Sequence, residues 1–285
     1  MSNAKYLRLL PLLSTALLAG CSTLGSAQYS APEAGFETVS ARTGAAVGKQ
    51  TVWVQNAQQA NDLAEKVHGL AHKKTISADT AVQIALLNNK GLQASYAELG
   101  LSAADVWQEG LLVNPTVSIG VLGIASPGLG LFRTIEGIIA NNILAMATRD
   151  KRVEIADARF RQAQMKAANQ TLKLAADTRR AWVIAVSAFE TVYYLNQGKV
   201  AADAASELAQ KLGESGAMPK GTQAREHAFY AELTGQTAQA KLAAKLAKEE
   251  LTRLMGLWGS EVDYFVPDQL PGLPGKLAKK TAVEG

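Results

Sequence analysis

Cysteine, aromatic residues and proline are all scarce in this chain of 285 residues. Cys21 is the single cysteine, so no disulfide can form within the chain. Aromatic residues make up 6% of the sequence against 48% for all hydrophobic residues, and the apolar content is mostly alanine and leucine. Such side chains suit closely packed helices better than a bulky globular core. The composition therefore favours a mainly α protein.

Proline is missing from residues 151–212, and Gly198 is the only glycine there. The apolar positions that recur three or four residues apart are Val153, Ala156, Phe160, Ala163, Val186, Phe189, Tyr193, Val200, Ala204, Leu208 and Leu212. This spacing predicts a long helix over 148–212 with one buried stripe. At 1.5 Å per residue it would extend roughly 90 Å, so we expect it to need long partners beside it.

The sequence lacks both a strong charge bias and a catalytic motif. Its formal net charge is +4, and basic residues are interleaved with acidic ones, which argues against a nucleic-acid-binding surface. Paired cysteines, a glycine-rich phosphate loop and a Ser–His–Asp context are all absent. His227 lies beside Glu226, which is ordinary chemistry for a helix surface. We therefore expect a protein that is not an enzyme and carries no cofactor.

The N-terminus has no apolar run long enough for a membrane-spanning helix. Lys5 and Arg8 precede about ten apolar residues, which is the length of an export signal rather than of a bilayer span. This pattern predicts a signal peptide over residues 1–20.

The run ends in Leu18-Ala19-Gly20-Cys21, which resembles the bacterial lipobox. In that motif small residues admit the signal peptidase, and the cysteine thiol is alkylated by diacylglycerol before cleavage. The resemblance implies lipidation at Cys21, and Ser22 after the cysteine favours the outer membrane over other destinations. An ordinary signal peptide followed by a chance cysteine is the alternative interpretation. Three acyl chains would anchor the protein stably, whereas one chain holds only marginally.

Residues 21–54 are rich in Ser, Ala, Gly and Thr, which predicts an acylated N-terminus and a flexible tether. Helices are predicted over 55–72 and 78–110, the second containing a break at Asn88-Asn89-Lys90-Gly91. The heptad positions after that break are Leu92, Tyr96, Leu99, Ala103 and Val106. A seam of this kind predicts that the helix lies along another helix.

Two histidines in the first of these helices, His68 and His72, are four residues apart. That spacing could hold a metal ion on a helix surface. Because no third ligand is evident in the sequence, it favours a solvated histidine pair, and no metal site is predicted.

The hydrophobic period changes to two in the middle of the chain. The odd positions are Val113, Pro115, Val117, Ile119 and Val121, and the even ones are Asn114, Thr116, Ser118 and Gly120. This alternation has about the length of one transmembrane β-strand. A turn at Ser126-Pro127-Gly128 and a returning segment to Ile139 predict a β-hairpin over 113–139, with Val113, Val117, Ile119 and Val121 as barrel-strand residues. A buried soluble hairpin, or a helix starting early at Ile135, remains an alternative.

Glycines and a proline follow the long predicted helix. They predict a tip over residues 213–221, because glycine ends helices and proline can begin the next one. A return helix is predicted over 222–255, antiparallel to the first, and a loop-like tail over 260–285. The apolar positions of the return helix are Ala224, Ala228, Ala231, Leu242, Leu246 and Leu251.

Taken in order, these features resemble one structural repeat of the TolC-like outer-membrane efflux factors, in their lipoprotein branch, over roughly residues 60–272. The runs that carry the resemblance are Thr80-Ala81-Val82-Gln83-Ile84-Ala85-Leu86-Leu87-Asn88-Asn89, Tyr96-Ala97-Glu98-Leu99-Gly100, Leu111-Leu112-Val113-Asn114-Pro115, Ala175-Ala176-Asp177-Thr178-Arg179-Arg180-Ala181-Trp182 and Leu251-Thr252-Arg253-Leu254-Met255-Gly256-Leu257-Trp258-Gly259. The family motif "AxxxALxxN" matches the first of them.

The resemblance implies a homo-oligomer, a trimer in the family, whose β-hairpins form a transmembrane β-barrel continued by a periplasmic tunnel of helices. Substrates would pass passively through the tunnel, which docks on a periplasmic adaptor and an inner-membrane pump. Docking would use the tip, at Gly213, Gly216, Ala217, Met218 and Pro219. The expected fold is thus mainly α, a long coiled-coil-like helical hairpin with a short β-hairpin.

The chain departs from the family pattern in three respects. Only 27 residues follow Trp258, where the family has a second repeat, so a hexamer, a separate partner chain or a truncated remnant are all open. The tip has Ala217-Met218-Pro219 where the family usually shows a small-Leu-Ser run. Arg133 would stand on the second strand, and facing lipid near the midplane would cost about 2–4 kcal/mol. The competing interpretation is a lipid-anchored periplasmic coiled-coil structural protein.

Overall fold

The computed structural model of the chain describes residues 27–111 and 130–272. Within those ranges it is built from α-helices, and its one isolated β-bridge pairs Thr75 with Phe265 in parallel. The helices are α1 (Phe36–Val47), α2 (Ala57–Ala71), α3 (Ala78–Asn88), α4 (Lys90–Gly110), α5 (Gly130–Glu214) and α6 (Lys220–Met255), with 3-10 helices at Ala27–Tyr29 and Gly259–Val262. The prediction of a mainly α protein is therefore confirmed.

Several predicted features lie outside the described residues. They are the signal peptide over 1–20, the lipidation site Cys21, the barrel-strand residues Val113, Val117, Ile119 and Val121, and the end of the tail, 273–285. Each of these stays a prediction from the sequence.

The chain divides into two compact units. Unit 1 comprises the described parts of Met1–Arg42 and Ala94–Asn169, and unit 2 comprises those of Thr43–Gln93 and Gln170–Gly285. Helix α5 contributes its first part to unit 1 and its second part, from residue 170 onward, to unit 2. Each unit has its own buried apolar side chains.

Unit 1 packs the start of α1 and the 3-10 turn before it against α4 and α5. Phe36 lies edge-on to Tyr96 of α4, with 4.8 Å between ring centroids, and Tyr29 lies edge-on to Phe160 of α5 at 5.4 Å. The Tyr29 hydroxyl donates a 2.7 Å hydrogen bond to Asp157. Aromatic pairs in this geometry contribute about 0.5–1.5 kcal/mol beyond their buried area.

These contacts correct the prediction of a flexible tether over 21–54. The structure has helix α1 there, and Phe36 and Val39 on its inner side are buried. The physical reason is that two apolar residues three apart, followed by mostly small residues, suffice to seat one helical face on existing helices. Composition alone, rich in Ser, Ala, Gly and Thr, concealed this short pattern.

A second correction concerns the returning half of the predicted β-hairpin over 113–139. Residues from Gly130 onward are helical and form the first turns of α5, so a returning strand there is wrong. The sequence explains the difference, since Ile135, Ile138 and Ile139 recur at helical spacing and the two-residue alternation fades after Leu131. The helical alternative, with a start before Ile135, describes this segment better.

The core of unit 2 is formed by α2, α3, the second part of α5 and the C-terminal end of α6. Helix α3 is buried almost all round, because Ala81, Val82 and the run Ile84–Leu87 are all covered. Two N-caps fix the starts of its helices: Asn56 accepts the Gln59 N–H at 2.9 Å, and Ser77 accepts the Thr80 N–H at 3.1 Å. Caps of this type contribute about 1 kcal/mol each.

The predicted loop-like tail is anchored in this core. Tyr264 is fully buried, and its hydroxyl lies 2.8 Å from Thr252 Oγ1 and donates to the Lys248 carbonyl at 3.2 Å. Its neighbour Phe265 exchanges backbone hydrogen bonds with the segment after α2, donating to Lys74 and accepting from Ile76, each at 2.9 Å. The residues after α6 therefore belong to the fold of unit 2.

The burial of Tyr264 predicts a loss of stability at alkaline pH. Burial raises the pKa of its hydroxyl from 10.0 to about 12, so the folded protein holds this proton more tightly than the unfolded chain. The resulting stabilisation is complete below about pH 10 and is lost as the pH rises toward about 12. Urea unfolding across this range should show a steeper decline for the wild type than for Tyr264→Phe, which cannot ionise. Parallel declines in the two proteins would contradict the prediction.

Candidate functional site: the helical hairpin and its tip

Residues 170–214 of α5 and the whole of α6 form an antiparallel helical hairpin in unit 2. Three contacts mark the register from the tip inward. A Cβ on Gly213 would lie 2.6 Å from Gln223 Oε1, Ser206 is hydrogen-bonded to His227 Nδ1, and the Lys199 ammonium lies 5.7 Å from the Tyr230 ring centroid. These contacts define one antiparallel register for the two helices.

The seam between these helices is made of small side chains. The buried positions near the tip are Ala202, Ser206 and Ala209 on α5, and those of α6 before its last turn are Thr237, Ala244 and the larger Leu251. The α5 positions are spaced four and three apart and the α6 positions seven apart, which is the heptad spacing of a coiled coil. Small residues let the two backbones approach closely but leave much of each helix uncovered.

Large apolar side chains accordingly remain exposed on the hairpin. The most exposed is Val200 on α5, at 69%, followed by Leu246 and Leu242 on α6, at 61% and 60%. The others are Leu172, Val183, Ile184, Tyr193, Tyr194, Leu208 and Phe229. The sequence-predicted stripe of α5 is thus buried at Val186 but open to solvent from Tyr193 to Leu208.

The five residues predicted to form the docking tip are brought together in one tight connection. Gly216 has φ +77°, and the N–H groups of Ala217 and Met218 both donate to the Leu212 carbonyl, at 2.8 and 3.1 Å. Pro219 precedes the first turn of α6. Gly213 itself is still helical, in the last turn of α5. Gly216, Ala217 and Pro219 are exposed, whereas Gly213 and Met218 are half-buried.

At its other end the hairpin is held by two asparagines. Asn88 Nδ2 donates to the carbonyls of Met255 and Gly256, at 3.3 and 2.7 Å, and Asn89 Nδ2 donates to that of Leu254 at 3.0 Å. Asn89 Oδ1 also accepts the Leu92 N–H at 3.0 Å, which starts α4. Carbonyls at a helix C-terminus have no partner within the helix, so these amides satisfy the end of α6.

The sequence indicated that Asn88 and Asn89 break a helix and belong to a family-like motif, but not that their side chains bind the end of α6. The residue type carried a signal for these hydrogen bonds, since two consecutive asparagines at a helix junction can cap one helix and also hydrogen-bond to another. What the sequence could not supply was the partner, because Leu254 lies more than 160 residues further along the chain.

The histidines occupy two separate places. His68 and His72 are stacked at the C-terminal end of α2, with ring centroids 4.5 Å apart, and His227 lies in the hairpin seam. Among the described residues no group of three or more histidine, cysteine, aspartate or glutamate side chains is arranged to hold a metal ion. No helix in the same part of the chain has the length and apolar character needed to cross a membrane.

Comparison with family models, with curated proteins and with solved structures finds no match for this chain. The class of protein therefore rests on its architecture alone. It is a mainly α protein whose second unit carries an antiparallel helical hairpin with an open apolar surface and a compact glycine-containing tip.

Proposed function

We propose that this protein is the outer-membrane channel component of a tripartite efflux system. In this proposal Cys21 carries the lipid anchor, and several copies associate so that the strand predicted over 113–121 of each copy contributes to a barrel and the helical hairpins form a periplasmic tunnel. The tip docks on a periplasmic adaptor, and an inner-membrane pump supplies the substrate and the energy. Support comes from the order of the sequence motifs and from the exposed apolar surface of the hairpin.

The exposed surface is the observation that carries the proposal. Burying a large aliphatic or aromatic side chain contributes about 1.5–3 kcal/mol, and the hairpin leaves nine of its large apolar side chains, Val183, Ile184, Tyr193, Tyr194, Val200, Leu208, Phe229, Leu242 and Leu246, at least two-fifths exposed. Large exposed apolar patches mark interaction sites in soluble proteins. Since the exposed positions lie on both helices, neighbouring hairpins could cover them from either side, as a closed ring of copies requires.

Leu208→Glu tests the role of this surface. A carboxylate at this position, 57% exposed in a single chain, would have to be buried uncompensated between copies, so we expect the detergent-extracted oligomer to dissociate. The single chain should stay folded, because the residue faces solvent there. Size-exclusion chromatography with light scattering gives the mass, and planar bilayers give the conductance.

Gln210→Glu is the matched control, since it adds the same charge two residues away. Gln210 is exposed and makes one hydrogen bond, to Glu214 on its own helix, so this variant should keep the mass and conductance of the wild type. A wild-type extract that is monomeric and non-conducting would rule the channel out. A Leu208→Glu variant that stays fully oligomeric would show that this surface does not hold the copies together.

A second candidate function is a lipid-anchored periplasmic coiled-coil structural protein, or a truncated remnant of an efflux factor. The observation that favours it is the helical start of α5 at Gly130, which removes the second strand of the expected β-hairpin. Conductance separates the two candidates, because a structural protein can associate through the hairpin surface without passing ions.

A further inference from the structure

We infer that His68 and His72 form a surface site for one divalent transition-metal ion of the Zn²⁺, Cu²⁺ or Ni²⁺ class. This inference is independent of the proposed function. It begins from the arrangement of the two imidazoles, which lie one helical turn apart with their rings nearly parallel at 19° and their centroids 4.5 Å apart. Neutral imidazole is the nitrogen ligand that these ions prefer.

The two imidazoles lie near enough to share one ion, with 4.5 Å between their ring centroids. Zinc–nitrogen bonds of about 2.0–2.1 Å at a tetrahedral angle place two ligand nitrogens about 3.3 Å apart. Because imidazole nitrogens bind an ion in the plane of the ring, the two rings have to turn out of the stacked arrangement so that one nitrogen of each points at the same ion. Both side chains already lie one helical turn apart on the same side of α2, so binding requires side-chain rotation and no change in the helix.

The surroundings orient one of the two ligands. His72 Nδ1 lies 3.4 Å from the backbone carbonyl of Ser260, in the 3-10 helix after α6. A hydrogen bond there places the proton on Nδ1 and leaves the Nε2 lone pair free for the metal. Histidine ligands in metal sites commonly donate their second ring nitrogen to a carbonyl in this way.

The position also favours a cation electrostatically. Both histidines lie at the C-terminal end of α2, where the aligned peptide dipoles give the helix a partial negative charge. Glu65 stands one turn before His68 on the same helix, and Glu261 directly follows Ser260. Lys73 and Lys74 oppose binding, although the Lys74 ammonium is already engaged by the Gly69 carbonyl. Two protein ligands leave the remaining coordination positions to water, so the ion should exchange readily.

Zinc titration of the full-length chain, purified with a tag that contains no histidine, tests the inference. Isothermal titration calorimetry should give one Zn²⁺ per chain for the wild type and an affinity at least tenfold weaker for His68→Gln and for His72→Gln. His227→Gln is the matched control, because His227 is the chain's only other histidine and lies in the hairpin seam. Its zinc affinity should equal that of the wild type.

Copper provides a second readout that does not depend on heats. Electron paramagnetic resonance of the Cu²⁺ complex should show two nitrogen ligands in the wild type and one or none in His68→Gln. Because the His68 side chain is exposed, we expect this variant to fold as the wild type does. Absence of zinc binding by the wild type, or binding that persists undiminished in both His68→Gln and His72→Gln, would overturn the inference.

Discussion

Replacing Trp182 by alanine should lower the free energy of unfolding of unit 2 by about 3–5 kcal/mol. Trp182 is 4% exposed in the core, and its indole N–H donates a 2.9 Å hydrogen bond to the Ile76 carbonyl. The substitution both opens a cavity and leaves that buried carbonyl without its donor. Chemical denaturation followed by circular dichroism measures the change.

Two other tryptophan substitutions separate these contributions. Trp182→Phe keeps most of the apolar volume but removes the donor, so it should cost less than Trp182→Ala, about 1–3 kcal/mol. Trp258→Ala removes a side chain that is 76% exposed and should stay within about 0.5 kcal/mol of the wild type. Equal effects of Trp182→Ala and Trp258→Ala would contradict the structure of this core.

Replacing Gly256 by alanine should destabilise unit 2 by about 2–4 kcal/mol, the second-largest effect that we expect. Gly256 ends α6 with φ +67°, a conformation that costs a side chain about 1–2 kcal/mol. A Cβ there would also lie 2.8 Å from the Asn88 carbonyl oxygen, which is too close for a carbon atom. The clash would push α6 away from α3 and weaken the amide bonds made by Asn88.

Gly216→Ala is the control that isolates the steric part. Gly216 has φ +77° at the hairpin tip, but nothing lies within 4 Å of its would-be Cβ. It should therefore show only the conformational cost, about 1–2 kcal/mol. If thermal unfolding gave the same loss for both variants, the tight approach between Gly256 and Asn88 would not be an energetic feature of the protein.

Local patterns in the sequence predicted most of the helices, but they did not predict which residues those helices pack against. The absence of proline and the recurrence of apolar residues indicated a long helix, and Ser77 marked the start of α3. Helix α1 was missed because Phe36 and Val39 are isolated in a segment of otherwise small and polar residues. Their role depends on Tyr96 and other residues far along the chain, which periodicity cannot reveal.

The segment after residue 129 shows how a strong neighbouring pattern can mislead. The clear alternation from Val113 to Val121 invited a matching second strand, although the residues up to Ile139 alternate poorly and repeat at helical spacing. A strand needs a partner, whereas a helix satisfies its own backbone hydrogen bonds, so the helical assignment required less from the rest of the chain.

The candidate site was predicted in outline only. The tip residues and the antiparallel return followed from glycine and proline placement, but the stripe on α5 was expected to be covered along its whole length. The structure divides it, with Val186 in the core and Val200 exposed, because the seam with α6 uses a different set of small residues. Which of two apolar faces meets a neighbour is decided by packing that periodicity does not encode.

The seven-residue spacing of Thr237, Ala244 and Leu251 bears on how the length of the helical hairpin can change in evolution. Because successive heptads of α6 pack against α5 in equivalent ways, no single heptad sets the length of the hairpin. Adding or deleting one heptad in each helix together would preserve both the Asn88–Gly256 anchorage and the turn at Gly216. The length of the hairpin can therefore change in steps of about 10 Å while both of its ends stay the same.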